Sequence, residues 1–597
     1  MTYDETRENE QLRLLAPVID EFITAYKNHQ PGDSPCTRRT IFFFPGGMAS
    51  QLTRARKKYD DSISATQTFQ YDPVWFVAES LFFGAPNLAM YRTGADTFRD
   101  NEDRIIIADG SVNLLGCTPH EGFIDWCAKN NADLFVFDWD WRRRLDETSN
   151  FFVDKFLPFF QARVLGEGCA DPLASFALVG HSFGGMIVNL IVRRGDPSID
   201  NVTHAITVGT PFYGYAGQAH RWFEGDAYVN GPWNIWRRDG IKVISSFPAL
   251  YTLHFLDEDT YNANQAALAS DAVAPLNDYP SMDAANPGQH ADPYNPQTNG
   301  NLVRYPENLG FDSDELEHAR DQFRMMADTM DAKALAKLYC IRGIRTVNDT
   351  VGTVTCGWIK RNFKPRKPSA ILDSSAMPGD ATQPAWTARL ASMNKANCRE
   401  AIGSDIEHMF LMSNAATLQA IGSILCGTEV PMDDSEVPVD DPDSTQPATF
   451  EEAMRFVDWL QRPENRTKKW PSLDDPRLLE SIPREFRKNF GRIARRIMMD
   501  IFKRPTPNRG RPERGTPPAK PGKGPSAKDK TVPASGKPKK AAGKAKKKSP
   551  PRPALVKAKA GAGKAAKKSS ARPVAAKKKS GAVKAPVRRS RARSGKK

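Results

Sequence analysis

Short runs of apolar residues alternate with amphipathic helical patterns along the first 430 or so residues of the chain. Five of these runs have the length and the aromatic or β-branched content of buried strands. They are Ile41–Phe44, Leu134–Phe137, Phe176–Val179, Ala205–Val208 and Leu338–Gly343. Apolar residues at helical spacing accompany them, most clearly over residues 8–28. Strands that alternate with helices predict an α/β fold with a mostly parallel sheet covered by helices on both faces.

The same pattern divides the chain into regions. We expect an N-terminal helix, a first part of the core with a lid-like insertion, a cap insertion, a second part of the core, an acidic linker, C-terminal helices and a disordered tail. These regions are 1–35, 36–211 with the insertion at 53–125, 212–335, 336–429, 430–448, 449–502 and 503–597. The cap is predicted because the strand pattern lapses and Trp, Tyr, Pro and Asn become frequent, which suits an insertion over a site. The 53–125 stretch is predicted to be loop-rich, and 344–377 to be a long basic loop.

Charge separates the chain into two unlike pieces. Residues 503–597 contain 33 lysines and arginines and two acidic residues, so this segment carries +31. Because the whole chain carries +14, the remainder carries −17. The segment has no aromatic residue, and we expect it to be a disordered tail. Two roles stay open for the tail, nonspecific contact with an anionic membrane or nucleic acid, and a purely solvating role.

The N-terminal residues lack the features of an export signal, and no window approaches the roughly 20 apolar residues of a membrane-spanning helix. The eight cysteines are scattered, with none in C-x-x-C spacing. This scatter favours buried free thiols over disulfides or a zinc site. We therefore expect a cytoplasmic protein without a metal or organic cofactor, with peripheral attachment to a membrane or lipid surface as the alternative.

One stretch carries recognisable chemistry. The apolar run ending at Val179 leads into Gly180-His181-Ser182-Phe183-Gly184, and a helical pattern follows at once. Strand, sharp turn and helix form the context in which G-x-S-x-G is a nucleophile elbow. The glycines let the backbone turn tightly, so that the serine hydroxyl stands clear. The alternative is a structural glycine turn, and we favour Ser182 as a nucleophile.

A serine nucleophile needs an adjacent base, and the base needs an acid. In proteins with this elbow the chain order is serine, acid, histidine. His408 is the only one of nine histidines that follows His318, and His318 precedes the late strand, so His408 is the candidate base. Asp349, Asp373 and Asp380 follow that strand. Asp380 is favoured because glycine and prolines frame it 28 residues before His408, and Asp349 is the runner-up.

Five segments together resemble the lecithin:cholesterol acyltransferase family of α/β-hydrolases, which includes phospholipid:diacylglycerol acyltransferases and related phospholipases. They are the loop Pro45–Leu52, the strand end Trp139–Arg142, the elbow Gly180–Gly185, the acid loop Gly379–Pro384 and the segment beginning at His408. Ser246–Tyr251 also resembles the family's cap. Ala381 and Gln383 replace a glycine and a valine of the acid loop. The 53–125 stretch matches poorly, and the basic tail has no counterpart.

The resemblance implies an α/β-hydrolase fold and raises Asp380 over Asp349 as the acid beside Ser182 and His408. It also implies an oxyanion hole formed by the backbone N–H groups of Met48 and Phe183. The implied partners are a lipid ester donor and a hydroxyl acceptor or water, with no cofactor.

We therefore expect a serine-dependent O-acyltransferase that works through an acyl-enzyme. One alternative is a lipase, phospholipase or esterase. The other is a non-enzymatic membrane- or polyanion-tethering protein on a hydrolase scaffold. Trp75, Trp139 and Tyr213 are predicted to bind substrate, although core packing is the ordinary role of such aromatic residues.

Overall fold

The computed structural model describes most of the chain up to residue 427 and isolated stretches beyond it. The described residues are 3–28, 40–58, 68–75, 88–92, 98–100, 104–112, 119–224, 237–268, 273, 275–276, 278–283, 288–292, 294, 312–348, 350–359, 367–372, 376–427, 452, 455–456, 459, 462, 482–487 and 493. The chain divides into two units, 1–518 and 519–597, and the second lies wholly outside the described residues. The same holds for the predicted acidic linker, the basic tail, most of 449–502, and the alternative acids Asp349 and Asp373.

The described part of the chain contains the following strands. They are β1 (Thr40–Phe44), β2 (Ser50–Lys58), β3 (Thr68–Trp75), β4 (Met90–Arg92), β5 (Phe98–Asp100), β6 (Arg104–Ser111), β7 (Asp133–Val136), β8 (Phe176–His181), β9 (Val202–Val208), β10 (Ser281–Asp283), β11 (Leu338–Arg345), β12 (Thr350–Val351), β13 (Val354–Ile359), β14 (Lys367–Leu372), β15 (Ala376–Met377) and β16 (Cys398–Gly403).

Helices connect and cover these strands. They are α1 (Tyr3–Asn28), α2 (Glu121–Lys129), α3 (Leu145–Phe151), α4 (Leu157–Gly166), α5 (Phe183–Arg193), α6 (Ala216–Glu224), α7 (Arg237–Ile244), α8 (Pro248–Tyr251), α9 (Glu258–Leu268), α10 (Ser313–Ala327), α11 (Ala332–Lys337), α12 (Ala415–Cys426) and α13 (Arg484–Arg487). None of the described helices has both the length and the apolar composition needed to cross a bilayer.

Six strands form the central sheet in the order β7-β1-β8-β9-β11-β16. Every neighbouring pair is parallel. Helices lie between most of the successive strands of this sheet along the chain, and they pack on both of its faces. This strand order and direction, with the sharp turn after β8, is the α/β-hydrolase fold.

The two faces of the sheet belong to two separate apolar cores. Phe42 and Phe44 of β1 pack into one cluster with helices α1, α3, α4 and α5. Ile41 and Phe43 of the same strand pack into the other cluster, with helices α2 and α12. All five residues of β1 are buried. A strand buried on both sides reads as one continuous apolar run, which is why the sequence pattern finds it.

The prediction of a loop-rich stretch after residue 53 is wrong for β2, β3 and β6. These strands form an antiparallel sheet in the order β3-β2-β6. Ile105 and Ile107 pack with Ala55 on one face, while Ile106 and Ala108 join the main core on the other. Since both faces are covered, the stretch lacks the alternation by which an antiparallel strand is usually recognised.

The predicted basic loop at 344–377 also contains strands. β13 pairs antiparallel with β14, and β10 of the cap region pairs parallel with β13. The last strand of the central sheet, β16, was not predicted either. It lies at the sheet edge, and Ala401 is its only fully buried side chain, while Ile402 beside it is exposed.

Cysteine chemistry differs in part from the expectation. Cys127, Cys169, Cys340, Cys356 and Cys398 are free thiols. Cys426 at the end of α12 is disulfide-bonded, so the expectation of free thiols throughout is wrong for this residue.

Candidate active site

Ser182 sits in the turn between β8 and α5 with a strained backbone. Its φ is 55° and its ψ is −120°, a combination that residues with a side chain rarely adopt. Its backbone N–H donates to the carbonyl oxygen of Val208 on the neighbouring strand, at 2.9 Å. The turn places the Ser182 side chain at the carboxyl end of the sheet, which is where ligands bind in open α/β sheets.

Glycines make this turn sterically feasible. A Cβ on Gly184 would lie 2.0 Å from the carbonyl oxygen of Phe44, and a Cβ on Gly180 would lie 2.4 Å from the carbonyl oxygen of Gly184. Both distances are far shorter than any tolerated contact, so side chains at these positions would force the strand and helix apart. The G-x-S-x-G spacing therefore reflects close packing under the serine.

The structure brings Ser182, His408 and Asp380 into direct contact. Ser182 Oγ lies 2.9 Å from Nε2 of His408, and Nδ1 of His408 lies 2.6 Å from Oδ2 of Asp380. Because a carboxylate only accepts hydrogen bonds, Nδ1 carries the proton and Nε2 presents its lone pair to the serine hydroxyl. Asp380 is 1% exposed. These are the mutual positions that a nucleophile, base and acid require.

The acid loop holds Asp380 through backbone groups. Oδ1 of Asp380 accepts from the N–H groups of Thr382 at 3.1 Å and Gln383 at 2.9 Å. Ala381, which lies between Asp380 and Thr382 in the chain, has a φ of 76°. Its N–H donates to Oγ1 of Thr350 at 2.9 Å. Ala381 thus occupies a left-handed position where the resembled family has glycine. The loop keeps its turn at the cost of an unfavourable alanine conformation.

His181 supports the base from behind, a role that sequence reasoning missed. Its Nε2–H donates to the backbone carbonyl of His408 at 2.8 Å, and the two rings lie 5.1 Å apart. Burial, with the nearby His408, holds the pKa of His181 well below its ordinary value. His181 is therefore a neutral donor that fixes the backbone of the base. Its place next to Ser182 in the elbow was the available signal.

The loop after β1 lies against the elbow. A Cβ on Gly46 would lie 3.3 Å from Cβ of Ser182, and a Cβ on Gly47 would lie 2.5 Å from the Phe183 ring. Met48 follows with a φ of 68°. The loop thus passes beside the serine with no side chain between its backbone and the elbow. A backbone N–H can donate to a reacting carbonyl oxygen only if the backbone comes this close.

The aromatic residues predicted to bind substrate are all buried. Trp75 is 1% exposed, Trp139 is 3% and Tyr213 is 1%. The indole N–H groups of Trp75 and Trp139 donate to carbonyl oxygens of the loop after β1, at 3.2 and 3.0 Å. The Tyr213 hydroxyl accepts from the N–H of Ala391, and its ring stacks on Trp386. Substrate contact by these residues stays a prediction.

Arg142 ties the strand end after β7 to the 53–125 stretch. Its guanidinium is fully buried and binds Asp140 through two nitrogens, at 2.8 and 2.6 Å. The same guanidinium lies 2.8 Å from Asp100 of β5 and donates to the carbonyl of Leu88. The two carboxylates raise the pKa of Arg142 against the effect of burial. The insertion is therefore fixed to the core by a buried ion pair network.

Asp138 lies behind the loop after β1 as a buried acid. Burial raises its pKa to about 7, while hydrogen bonds with Ser50 and Ser111 act in the opposite direction. Oγ of Ser111 also lies 3.0 Å from Nε2 of His120, and burial lowers the pKa of that histidine to about 4.

No cluster of three or more His, Cys, Asp or Glu side chains that would hold a metal ion occurs in the described ranges.

The chain matches no family model and no curated protein. Several solved structures are similar to the chain over most of their own lengths, among them the following three. The Tle4–Tli4 complex aligns over 66% of this chain and 100% of that one, with 13% identity and a TM-score of 0.36. Lipase BlEst2 of Bacillus licheniformis, in mature form, aligns over 66% and 96%, with 13% identity and a TM-score of 0.28. EstA of Clostridium botulinum aligns over 69% and 98%, with 9% identity and a TM-score of 0.27. The strand order and direction of the central sheet identify the α/β-hydrolase fold.

Proposed function

We propose that the protein is a serine-dependent enzyme that acts on esters through a covalent acyl-serine. The observation that supports this most directly is the chain of contacts from Ser182 Oγ to His408 Nε2 and from His408 Nδ1 to Asp380 Oδ2. A hydroxyl is a weak nucleophile at neutral pH, and this arrangement removes its proton as it attacks.

In the first half of the proposed reaction, Ser182 Oγ attacks the ester carbonyl carbon while His408 Nε2 takes the hydroxyl proton. Asp380 stabilises the resulting imidazolium. The tetrahedral intermediate collapses when its C–O bond to the leaving alcohol breaks, and His408 returns the proton to that oxygen. In the second half, an incoming hydroxyl gives its proton to Nε2 as it attacks the acyl carbon. The bond from that carbon to Ser182 Oγ then breaks, and His408 returns the proton to Oγ.

We place the oxyanion hole at the backbone N–H groups of Met48 and Phe183. Phe183 is the first residue of α5, so its N–H is one of the unpaired donors at a helix N-terminus. The close approach of Gly46 and Gly47 to the elbow supports Met48 as the second donor.

We further propose a lipid ester as donor and a hydroxyl compound as acceptor, following the resemblance to the lecithin:cholesterol acyltransferase family. Hydrolysis by a lipase, phospholipase or esterase differs only in the acceptor, because both reactions share the acyl-enzyme. A screen with acyl-labelled phospholipid and glyceride donors, run with and without long-chain alcohols, separates the two. Acylated alcohol indicates transfer, and free fatty acid alone indicates hydrolysis.

A fluorophosphonate probe tests the proposed nucleophile. We expect the full chain to be labelled and Ser182→Ala to be unlabelled and at least 10³-fold slower on a soluble ester. Ser198→Ala, at an exposed serine away from the elbow, is the matched control. Equal labelling of the Ser182→Ala variant would contradict the proposal, and an unreactive wild-type protein would favour the scaffold alternative.

For the basic tail we propose nonspecific electrostatic attachment to a polyanionic surface. The +31 charge of residues 503–597 supports it. Deletion of these residues should leave turnover of soluble esters unchanged and abolish salt-sensitive binding. Vesicles with acidic lipids and duplex DNA, tested separately, show which polyanion is bound. Undiminished binding after deletion contradicts the proposal.

A further inference from the structure

Three tryptophans donate to carbonyl oxygens of the segment Pro45–Ser50, here called the oxyanion loop, which follows β1 and ends on the first residue of β2. Trp139 Nε1 donates to Pro45 O at 3.0 Å. Trp75 Nε1 donates to Met48 O, and Trp141 Nε1 donates to Ser50 O, both at 3.2 Å. Indole groups thus form hydrogen bonds with the loop near its start, in its middle and at its end.

The hydrogen bond from Trp75 to the Met48 carbonyl affects the direction of the Met48 N–H. The φ of Met48 describes rotation about its own N–Cα bond, and at 68° it lies in the left-handed region. A residue with a side chain pays roughly 1–2 kcal/mol there and stays only when its surroundings enforce it. If φ relaxed to a negative value, the Met48 N–H would turn relative to the peptide that follows it.

The three indole donors stand on two separate parts of the chain. Trp75 is the last residue of β3, and Trp75 and Trp141 pack edge to face with ring centres 5.1 Å apart. Trp139 and Trp141 follow β7 on either side of Asp140, next to the buried ion pair of Arg142 with Asp100. The donors therefore stand on elements that are themselves fixed to each other.

We propose that Trp75, Trp139 and Trp141 are positioning residues, which hold the oxyanion loop by its carbonyl oxygens and so aim the Met48 N–H at the reacting carbonyl. This inference rests on the proposed function. It gives Trp75 and Trp139 a role other than substrate contact, because their rings are buried and their only donors are used within the protein.

The test removes one N–H and keeps the ring. Replacing Trp75 with 3-benzothienylalanine, by site-specific incorporation, substitutes sulfur for the indole N–H without changing the shape of the side chain. Trp75→Phe is the second variant. Trp126 is the matched control, since it is buried in the opposite core and its Nε1 has no partner among the described residues.

Two measurements are made on each full-length variant. The first measurement gives kcat and KM for a soluble ester, together with the affinity for a phenylboronic acid. The adduct of this acid with the serine places an anionic oxygen in the proposed oxyanion hole. The other is hydrogen exchange of the peptide containing residues 45–52. The Ala49 amide, which donates to Gly46 O at 3.1 Å, reports on the loop independently of activity.

For the Trp75 variants we expect kcat to fall ~10-fold or more with KM within twofold, weaker boronate binding in proportion, and faster exchange of the loop. The Trp126 variants should match wild type in all of these. Trp75 variants that behave like the Trp126 variants would overturn the inference. If wild type is inert towards both ester and boronate, the proposed function fails. Hydrogen exchange then decides separately whether the indoles hold the loop.

Discussion

The backbone N–H of His408 donates to the carbonyl oxygen of Asp380 at 3.0 Å, while its Nδ1–H donates to Oδ2 of the same residue at 2.6 Å. One residue thus positions both the main chain and the ring of the candidate base. Loss of the Asp380 charge leaves the main-chain bond in place, so the electrostatic role of the carboxylate can be measured apart from the fold.

Asp380→Asn should lower kcat about 10⁴-fold on a soluble ester, because an amide at this position does not stabilise the imidazolium and permits the wrong ring tautomer. The melting temperature should change little. Glu407→Gln is the control. Glu407 immediately precedes His408 in the chain, but its carboxylate pairs with Arg345 and not with the base. A loss of activity in the control equal to that of Asp380→Asn would contradict the assignment.

Ala381→Gly should stabilise the protein. Ala381 has a φ of 76°, where alanine carries a penalty of roughly 1–2 kcal/mol, and part of the gain is offset by the greater freedom of glycine in the unfolded chain. A net gain of about 0.5–1 kcal/mol is expected from urea unfolding. Ala128→Gly, on the exposed side of α2, should instead lose about 1 kcal/mol. Two losses of equal size would show that the acid loop carries no such strain.

Asp138 should make stability depend on pH. Its folded pKa is about 7 against an ordinary 3.8. Below about pH 4 both states are protonated, and its contribution to stability is fully present. As pH rises towards 7 only the unfolded chain ionises, so up to about 4 kcal/mol is lost by pH 7, and little more above it.

The measurement is the free energy of unfolding in urea at pH 5 and pH 8, for wild type and Asp138→Asn. The variant should lose less stability over this interval, because it has no carboxyl group to ionise. Asp125→Asn, on the exposed side of α2, controls for a change of one surface charge and should behave like wild type. Parallel curves for all three proteins would refute the prediction.

Cys340 and Cys398 should form a disulfide under mild oxidation. They face each other in the register of β11 and β16, with their sulfurs 2.9 Å apart. Glutathione disulfide supplies the oxidant. The half-buried Cys398 thiolate attacks it and releases one glutathione; Cys340 then displaces the second. Closing a loop of this length, with the two cysteines 58 positions apart, adds at most about 4 kcal/mol to stability.

Peptide mapping after oxidation detects the cross-link. It should join Cys340 to Cys398, leave the buried Cys127 and Cys356 as thiols, and vanish in Cys398→Ser. The Cys398→Ser variant also separates the stability effect from that of the disulfide at Cys426. A map in which Cys340 stays reduced while Cys169 reacts would contradict the prediction.

Residue type and chain order were enough to bring Ser182 and His408 out of the sequence. They left three aspartates as candidates for the acid, and Asp380 was preferred on its loop and on the family resemblance. β16 was not accessible, because an edge strand needs only one buried side chain, here Ala401, and its other residues are free to be polar. The strand pattern of Arg104–Ser111 was hidden by burial on both faces.

The environment of Trp75 was the least accessible feature. A tryptophan in an aromatic cluster either packs in the core or lines a pocket. Its neighbours in sequence do not show which of these two roles it has. Its partner, Met48 O, lies 27 residues away and is brought near by the pairing of β2 with β3. Long-range strand pairing of this kind leaves little trace in local residue patterns.

The backbone of Ser182 places function and durability in opposition at one position. A glycine there would adopt φ 55° and ψ −120° without penalty, so Ser182→Gly would gain resistance to unfolding while losing the hydroxyl. Selection for thermal robustness alone, in a mutant library, would therefore be expected to enrich inactive proteins altered at this residue. Screens for hardier variants of this chain need a turnover readout from the first round.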